Sequence, residues 1–202
     1  MPMSQHLLIA THNSAKLAEM RELLGDLPYG IVSLDEVGIT LEVEETGTTF
    51  QENALLKART YSQLSGLLTL ADDSGLEVVA LNGEPGIHSN RYAGPLATEE
   101  EKVQFLLEKM AHVPLEQRQA QFTVYMALVW PSGKTHVVVY HYKGSIALGP
   151  RGKWIKKFPY RVVFIPANSD KTLAELIEYG IAIETPRTKC IALVKEYLLT
   201  AL

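Results

Sequence analysis

Three short clusters hold the side chains best suited to chemistry. The first is Thr11-His12-Asn13-Ser14-Ala15-Lys16, between an apolar run and a helical pattern. A helix N-terminus offers unpaired N–H groups and the positive end of the helix dipole, which suits phosphate. Lys16 would add a point charge to one phosphate oxygen, with Thr11 and Asn13 hydrogen-bonding others. The second is Glu45-Thr46-Gly47-x-Thr49-Phe50-x-Glu52-Asn53-Ala54-x-x-Lys57, where Lys57 lies a turn beyond Asn53 and shares its helix face. The third, Asp72-Asp73-Ser74-Gly75, follows the apolar run Leu67–Ala71. Adjacent carboxylates at the end of a buried strand are costly unless cations balance them. Mg²⁺ takes few carboxylates, keeps waters and adds substrate phosphates. Each cluster also has a plainer reading: a capped turn, a well-capped helix with an exposed lysine, and a solvated acidic turn. Taken together, two lysines (Lys16, Lys57) and three acids (Glu45, Asp72, Asp73) describe a site for a polyphosphate and Mg²⁺.

The elements that must position these residues are legible from periodicity and punctuation. His6–Ala10 reads as a buried strand feeding the first cluster. Leu17, Met20, Leu23 and Leu24 repeat at helical spacing, which predicts a helix over Ser14–Leu24 with Ser14 as N-cap and Gly25 as terminator. Ile31–Leu34 reads as a second strand and the acidic Leu41–Gly47 as a loop. Thr49 with Glu52 has capping-box spacing, and a helix follows to about Ser65, ended by Gly66. Leu67–Ala71 reads as a strand that stops at the acidic cluster. Thr98 with Glu101 opens a further helix to about Met110. Ala120–Trp130 and His136–Lys143 flank Pro131-Ser132-Gly133-Lys134 as a hairpin, and Thr172–Glu178 and Arg187–Leu199 read as closing helices. Alternating strands and helices followed by a hairpin predict an α/β fold with a mixed sheet and flanking helices.

Composition narrows the function classes. The chain has 202 residues, 47% hydrophobic and 21% charged, which is ordinary for a globular protein. No apolar run approaches the roughly 18 residues of a membrane span. No basic segment followed by an apolar stretch opens the chain, and one cysteine, Cys190, argues for a reducing, cytoplasmic setting. The net charge of −4 argues against a wholesale nucleic-acid binder. His136 and His141, five apart on one strand, would point to opposite faces and so do not make a metal pair. Cys190 reads as a buried, inert thiol on the last helix.

The stretches EETGTTFQENALLKA and LADDSGLEVVALNGEPGIHSNRYAG, with Thr11-His12-Asn13-x-x-Lys16 ahead of them, resemble the inosine triphosphate pyrophosphatase family nearly end to end. That family hydrolyses nonstandard purine nucleoside triphosphates. The resemblance implies one domain over residues 1–202, built as two lobes around a nucleotide cleft and acting as a homodimer with Mg²⁺. It implies attack of water on the α-phosphorus, releasing a nucleoside monophosphate and pyrophosphate. Carried over by position, Asp73 is the general base and a metal neighbour, and Glu45 is a metal ligand supported by Asp72. The stretch Thr11, His12, Asn13, Ser14, Ala15 and Lys16, together with Lys57 and Ser74, contacts the triphosphate. Phe158 and Tyr160 would stack on the base, and Arg187 would donate to a base carbonyl.

The chain departs from that family where the base is read. The pattern G-F-G-Y-D-P-x-F-x-P stands here as Lys157-Phe158-Pro159-Tyr160-Arg161-Val162-Val163-Phe164-Ile165-Pro166. The later lysine falls on Ile181, and Ser-His-Arg falls on Thr185-Pro186-Arg187. A guanidinium in place of a carboxylate reverses hydrogen-bond polarity, so phosphate chemistry is expected to persist while base preference is open. Two other readings stand beside the enzyme. One is a nucleotide-binding protein with altered base specificity or lost turnover. The other is a single-strand nucleic-acid binder using the basic, aromatic Pro150–Arg161.

Overall fold

The computed structural model describes residues 5–181 and 183–200. In chain order the elements are β1 (His6–Ile9), α1 (Ser14–Leu24), β2 (Gly30–Ser33), α2 (Phe50–Ser65), β3 (Leu68–Val78) and α3 (Glu99–Lys109). They continue with β4 (Gln119–Val129), β5 (Thr135–Ile146), β6 (Phe164–Pro166), α4 (Leu173–Glu178) and α5 (Pro186–Thr200). The strands follow the order β2-β1-β3-β4-β5-β6. β1 runs parallel to β2 and β3, while β5 and β6 are antiparallel, so the sheet is mixed, as the sequence predicts. The short β6 ends the apolar run Val162–Ile165 and is not among the strands predicted above.

Helix ends follow local chemistry. Thr49 caps α2 by accepting from the Glu52 N–H, and Gly66 closes the helix in the left-handed region at φ 68°. The Glu52 carboxylate turns to the Thr48 N–H and hydroxyl rather than to the Thr49 N–H, so the expected capping box is only half formed. Complete boxes start α3 at Thr98/Glu101 and α4 at Thr172/Glu175. The N-cap of α1 is Asn13, not Ser14. Asn is at least as good a cap, and its side chain reaches the second and third helical amides. The second strand is Gly30–Ser33, one residue earlier than Ile31–Leu34.

The main departure is β3. It does not stop at Ala71 but runs on through Asp72-Asp73-Ser74-Gly75 to Val78, so the expected acidic turn is absent. An extended backbone carrying two buried carboxylates requires cations close by, and the structure supplies them.

The chain divides into two compact units. The first runs to Asp73 and takes in Val124–Tyr140 and the chain from Arg187; the second comprises Ser74–Thr123 and His141–Pro186. In the first unit, Met20 and Leu24 of α1 and Cys190, Ile191, Val194 and Leu198 of α5 pack with Leu7, Ile9, Val124, Met126 and Leu128. Ala54, Ala58 and Tyr61 of α2 pack with the alternate strand residues Leu8, Ala71, Ala127 and Val129. Strand side chains alternate between faces, so α1 and α5 cover one face of this part of the sheet and α2 the other. Each fully buried leucine or isoleucine contributes about 1.5–3 kcal/mol. In the second unit, Leu76, Val78, Val103, Leu106, Met110, Phe164 and Leu173 form the core. Buried Arg118 ties this unit together by donating to the carbonyls of Met110, Val113, Ile146 and Ala147.

Candidate active site

Asp72 and Asp73 are neighbours on one strand and therefore face opposite sides of it. That alternation organises the first unit's polar interior. Asp72, 2% exposed, lies on the side of α1 and α5. The Lys16 Nζ is 3.0 Å from its Oδ2, and the Arg187 Nη2 is 3.3 Å from the same oxygen. Burial alone would raise the Asp72 pKa, but the Lys16 and Arg187 charges overcome it and hold the carboxyl well below its ordinary 3.8. The Arg187 Nη1 also donates to Glu19 on α1 at 2.7 Å. Lys16 is itself lowered by burial, with Asp72 opposing.

Asp73 faces α2. Asn53 donates from Nδ2 to Asp73 Oδ2 at 3.1 Å. Lys57 Nζ lies 3.9 Å from Asp73 Oδ1 and 2.5 Å from Glu45 Oε1. Burial, reinforced by the Glu45 charge and opposed by Lys57, pushes the Asp73 carboxyl up to about 6. Lys57 is raised above its ordinary value, because Asp73, Asp72 and Glu45 outweigh the burial that would lower it.

The first sequence cluster supplies a cap more than an anion cradle. Asn13 Oδ1 accepts from the Ala15 and Lys16 amides at 3.0 and 3.3 Å, and Thr11 Oγ1 accepts from the Asn13 amide at 3.1 Å. Two of the helix amides proposed for phosphate are therefore bonded to Asn13, and Ser14 is the first helical residue rather than the cap. His12 Nε2 sits 3.1 Å from the Leu41 carbonyl and 3.3 Å from the Tyr61 hydroxyl, pinning this turn to the acidic loop. From this cluster, the Lys16 side chain is what reaches the acidic centre.

The expected three-acid metal set is not one cluster. Among the described residues, no group of three or more His, Cys, Asp or Glu is arranged to hold a metal ion. Asp72 is turned away from Asp73 and matched by Lys16 and Arg187. Glu45 and Asp73 share Lys57 and remain a pair of hard oxygen donors. Mg²⁺ binds through one or two carboxylates plus water and phosphate oxygens, so this pair fits it.

Arg187 was expected to read a base. It is 6% exposed, with Asp72 and Glu19 on its guanidinium, which is the geometry of an internal clamp. Ser74, Phe158 and Tyr160 fall in the second unit. Tyr160 is 4% exposed and its hydroxyl donates to the Ser89 carbonyl at 2.9 Å. Burial raises its pKa, and a ring so enclosed belongs to the core rather than to a stacking surface. Phe158 has the Arg161 guanidinium 3.9 Å from its ring centre, a cation–π pair on the face expected to take a base. Cys190 is fully buried, and burial pushes its thiol up to about 12. His136 stacks on Tyr197 at 3.5 Å, while His141 contacts Thr123 at 3.0 Å.

Two residues of the site are given no role by the sequence. Glu19 gave no signal, because its partner Arg187 lies 168 positions away. Asn53 was readable as sharing a helix face with Lys57, but nothing local shows that the face meets Asp73.

The Ham1 family model matches residues 7–184. A dITP/XTP pyrophosphatase of Bacillus subtilis (strain 168) is 41% identical over 169 residues, 84% of each chain. A dITP/XTP pyrophosphatase of Geobacter sulfurreducens is 40% identical over 192 residues, 95% of this chain and 96% of that one. A solved HAM1 protein from Coxiella burnetii superposes with a TM-score of 0.88 at 36% identity, covering 97% of this chain and 99% of that one. With a family match over most of its length and relatives 40–41% identical, the chain belongs to the Ham1 family.

Proposed function

We propose that this protein is a Mg²⁺-dependent nucleoside triphosphate pyrophosphatase acting on nonstandard purine nucleotides such as ITP, dITP and XTP. The observation that carries the reading is the arrangement of Lys16, Lys57, Glu45, Asp72 and Asp73 within one unit, with Lys16 on Asp72 and Lys57 between Asp73 and Glu45. It agrees with the activity in the names of the relatives. Glu45 and Asp73 would hold the metal, which supplies charge neutralisation to phosphate oxygens when bound. Lys16 and Lys57 place positive charge where a triphosphate would lie, exchanging carboxylate partners for phosphate. Asp73 orients water and takes its proton as the water oxygen bonds to the α-phosphorus. The bond from that phosphorus to the bridging oxygen breaks, pyrophosphate leaves, and a nucleoside monophosphate remains.

The same reading carries a homodimer, tested by light scattering, and a reducing, cytoplasmic setting. Among the described residues, no helix is long and apolar enough to cross a membrane. The test of function is pyrophosphate release from common, deoxy and deaminated triphosphates, with Mg²⁺ and with chelator. Metal-dependent release from ITP, dITP or XTP is expected. Release confined to another base would mean that Arg161 and Pro186 have re-specified selection. Nucleotide binding without release would favour the binding-protein reading.

A further inference from the structure

We propose that Asn53 is a positioning residue for Asp73, and that Gly47 holds Asn53 in the one orientation that allows it. The proposal rests on the reading of Asp73 as the group that takes the proton from water.

Asn53 is 1% exposed on the first turn of α2. Its Oδ1 accepts from the Gly47 N–H at 2.8 Å, and its Nδ2 donates to Asp73 Oδ2 at 3.1 Å. A backbone N–H only donates and a carboxylate only accepts, so each end of the amide has one permitted direction. Flipping it would set oxygen against oxygen at Asp73 and N–H against N–H at Gly47. The strut therefore assigns Asp73 Oδ2 to Asn53 and leaves Oδ1 on the side of Lys57, 3.9 Å away.

Gly47 is glycine for reasons of space. Its φ is not in the left-handed region, so another residue could adopt its backbone. A Cβ there would lie 2.6 Å from Asn53 Oδ1 and 2.8 Å from Glu52 Cβ. The bare amide can approach Asn53 only because nothing projects from Gly47. Gly47 follows Glu45 by two positions, so one loop supplies a carboxylate and also fixes the opposite carboxylate through Asn53.

Displacing a reacting group by about 1 Å can cost about 10²-fold in rate. The experiment is steady-state pyrophosphate release from ITP at saturating Mg²⁺ for the parent, Asn53→Leu, Gly47→Ala and the double variant, each checked by thermal unfolding. The expected result is a kcat loss of about 10²-fold for Asn53→Leu and about 10-fold for Gly47→Ala, with KM within about threefold. The double variant is expected to be no slower than Asn53→Leu alone, because Gly47 acts through Asn53. Multiplying losses, or a raised KM with parental kcat, would overturn the proposal. If Asn53→Leu does not fold, Gly47→Ala must still lose kcat at parental KM and unfolding temperature, and parental kcat overturns the proposal. An Asp73→Asn control separates the layers. Parental activity there removes the catalytic reading itself, whereas inactivity with multiplying losses refutes the strut alone.

Discussion

Replacing Arg187 by methionine separates an internal clamp from a base-reading side chain. Methionine keeps an unbranched apolar stem and removes the guanidinium, so the perturbation is chiefly loss of charge and of hydrogen bonds. Arg187 is 6% exposed and sits 2.7 Å from Glu19 and 3.3 Å from Asp72, itself 2% exposed. Removing one partner of a buried pair costs about 3–5 kcal/mol. Lys16 stays 3.0 Å from Asp72, so the lower end applies. About 3 kcal/mol corresponds to a fall in unfolding temperature of about 6–12 °C for a chain of this size. Calorimetry at pH 7 measures it. The pH dependence carries a sign. Asp72 is held below its ordinary 3.8, so its contribution is present above that value and is lost as pH falls through the folded value. The gap between parent and variant should therefore be full at pH 7 and narrow below about pH 4. An Arg187→Met protein that unfolds within about 2 °C of the parent at pH 7, yet loses affinity for nucleotide, would refute the clamp.

Two further outcomes follow from burial. Cys190, fully buried with its thiol pushed up to about 12, should resist iodoacetamide in the native protein at pH 8 and react fully in denaturant; mass spectrometry reads both. Tyr160→Phe removes the bond to the Ser89 carbonyl and should cost about 1 kcal/mol of stability with KM for nucleotide unchanged, whereas a hydroxyl that contacts nucleotide would appear as a raised KM.

Much of the fold was legible because its punctuation is local. Thr49, Thr98 and Thr172 start helices with their own side chains, and Gly66 ends one in a conformation other residues resist. β3 was misread for the opposite reason. Asp72-Asp73-Ser74-Gly75 has turn composition, and the cations that keep it extended come from Lys16, Lys57 and Arg187, 16 to 115 positions away. Sequence spacing cannot show that two adjacent carboxylates will be split between faces and matched separately. The lysines and acids were found by type, but their pairing was not. Asp72 pairs with Lys16 and Arg187, and Arg187 also with Glu19. Tyr160 and Phe158 were assigned from a family pattern that this chain breaks at Arg161. In the structure that arginine lies over Phe158, and Tyr160 faces the core.

The central claim is that Asp73 takes the proton from the attacking water. Asp73→Asn keeps the shape of the side chain and removes its charge. Burial holds this carboxyl up to about 6, so ionised at pH 7 it costs stability, and the variant should unfold no lower than the parent. The measurement is the rate of pyrophosphate release from ITP at saturating Mg²⁺ by folded Asp73→Asn beside the parent. A fall of about 10²–10⁴-fold is expected from loss of a general base. Turnover near the parental rate would contradict the account.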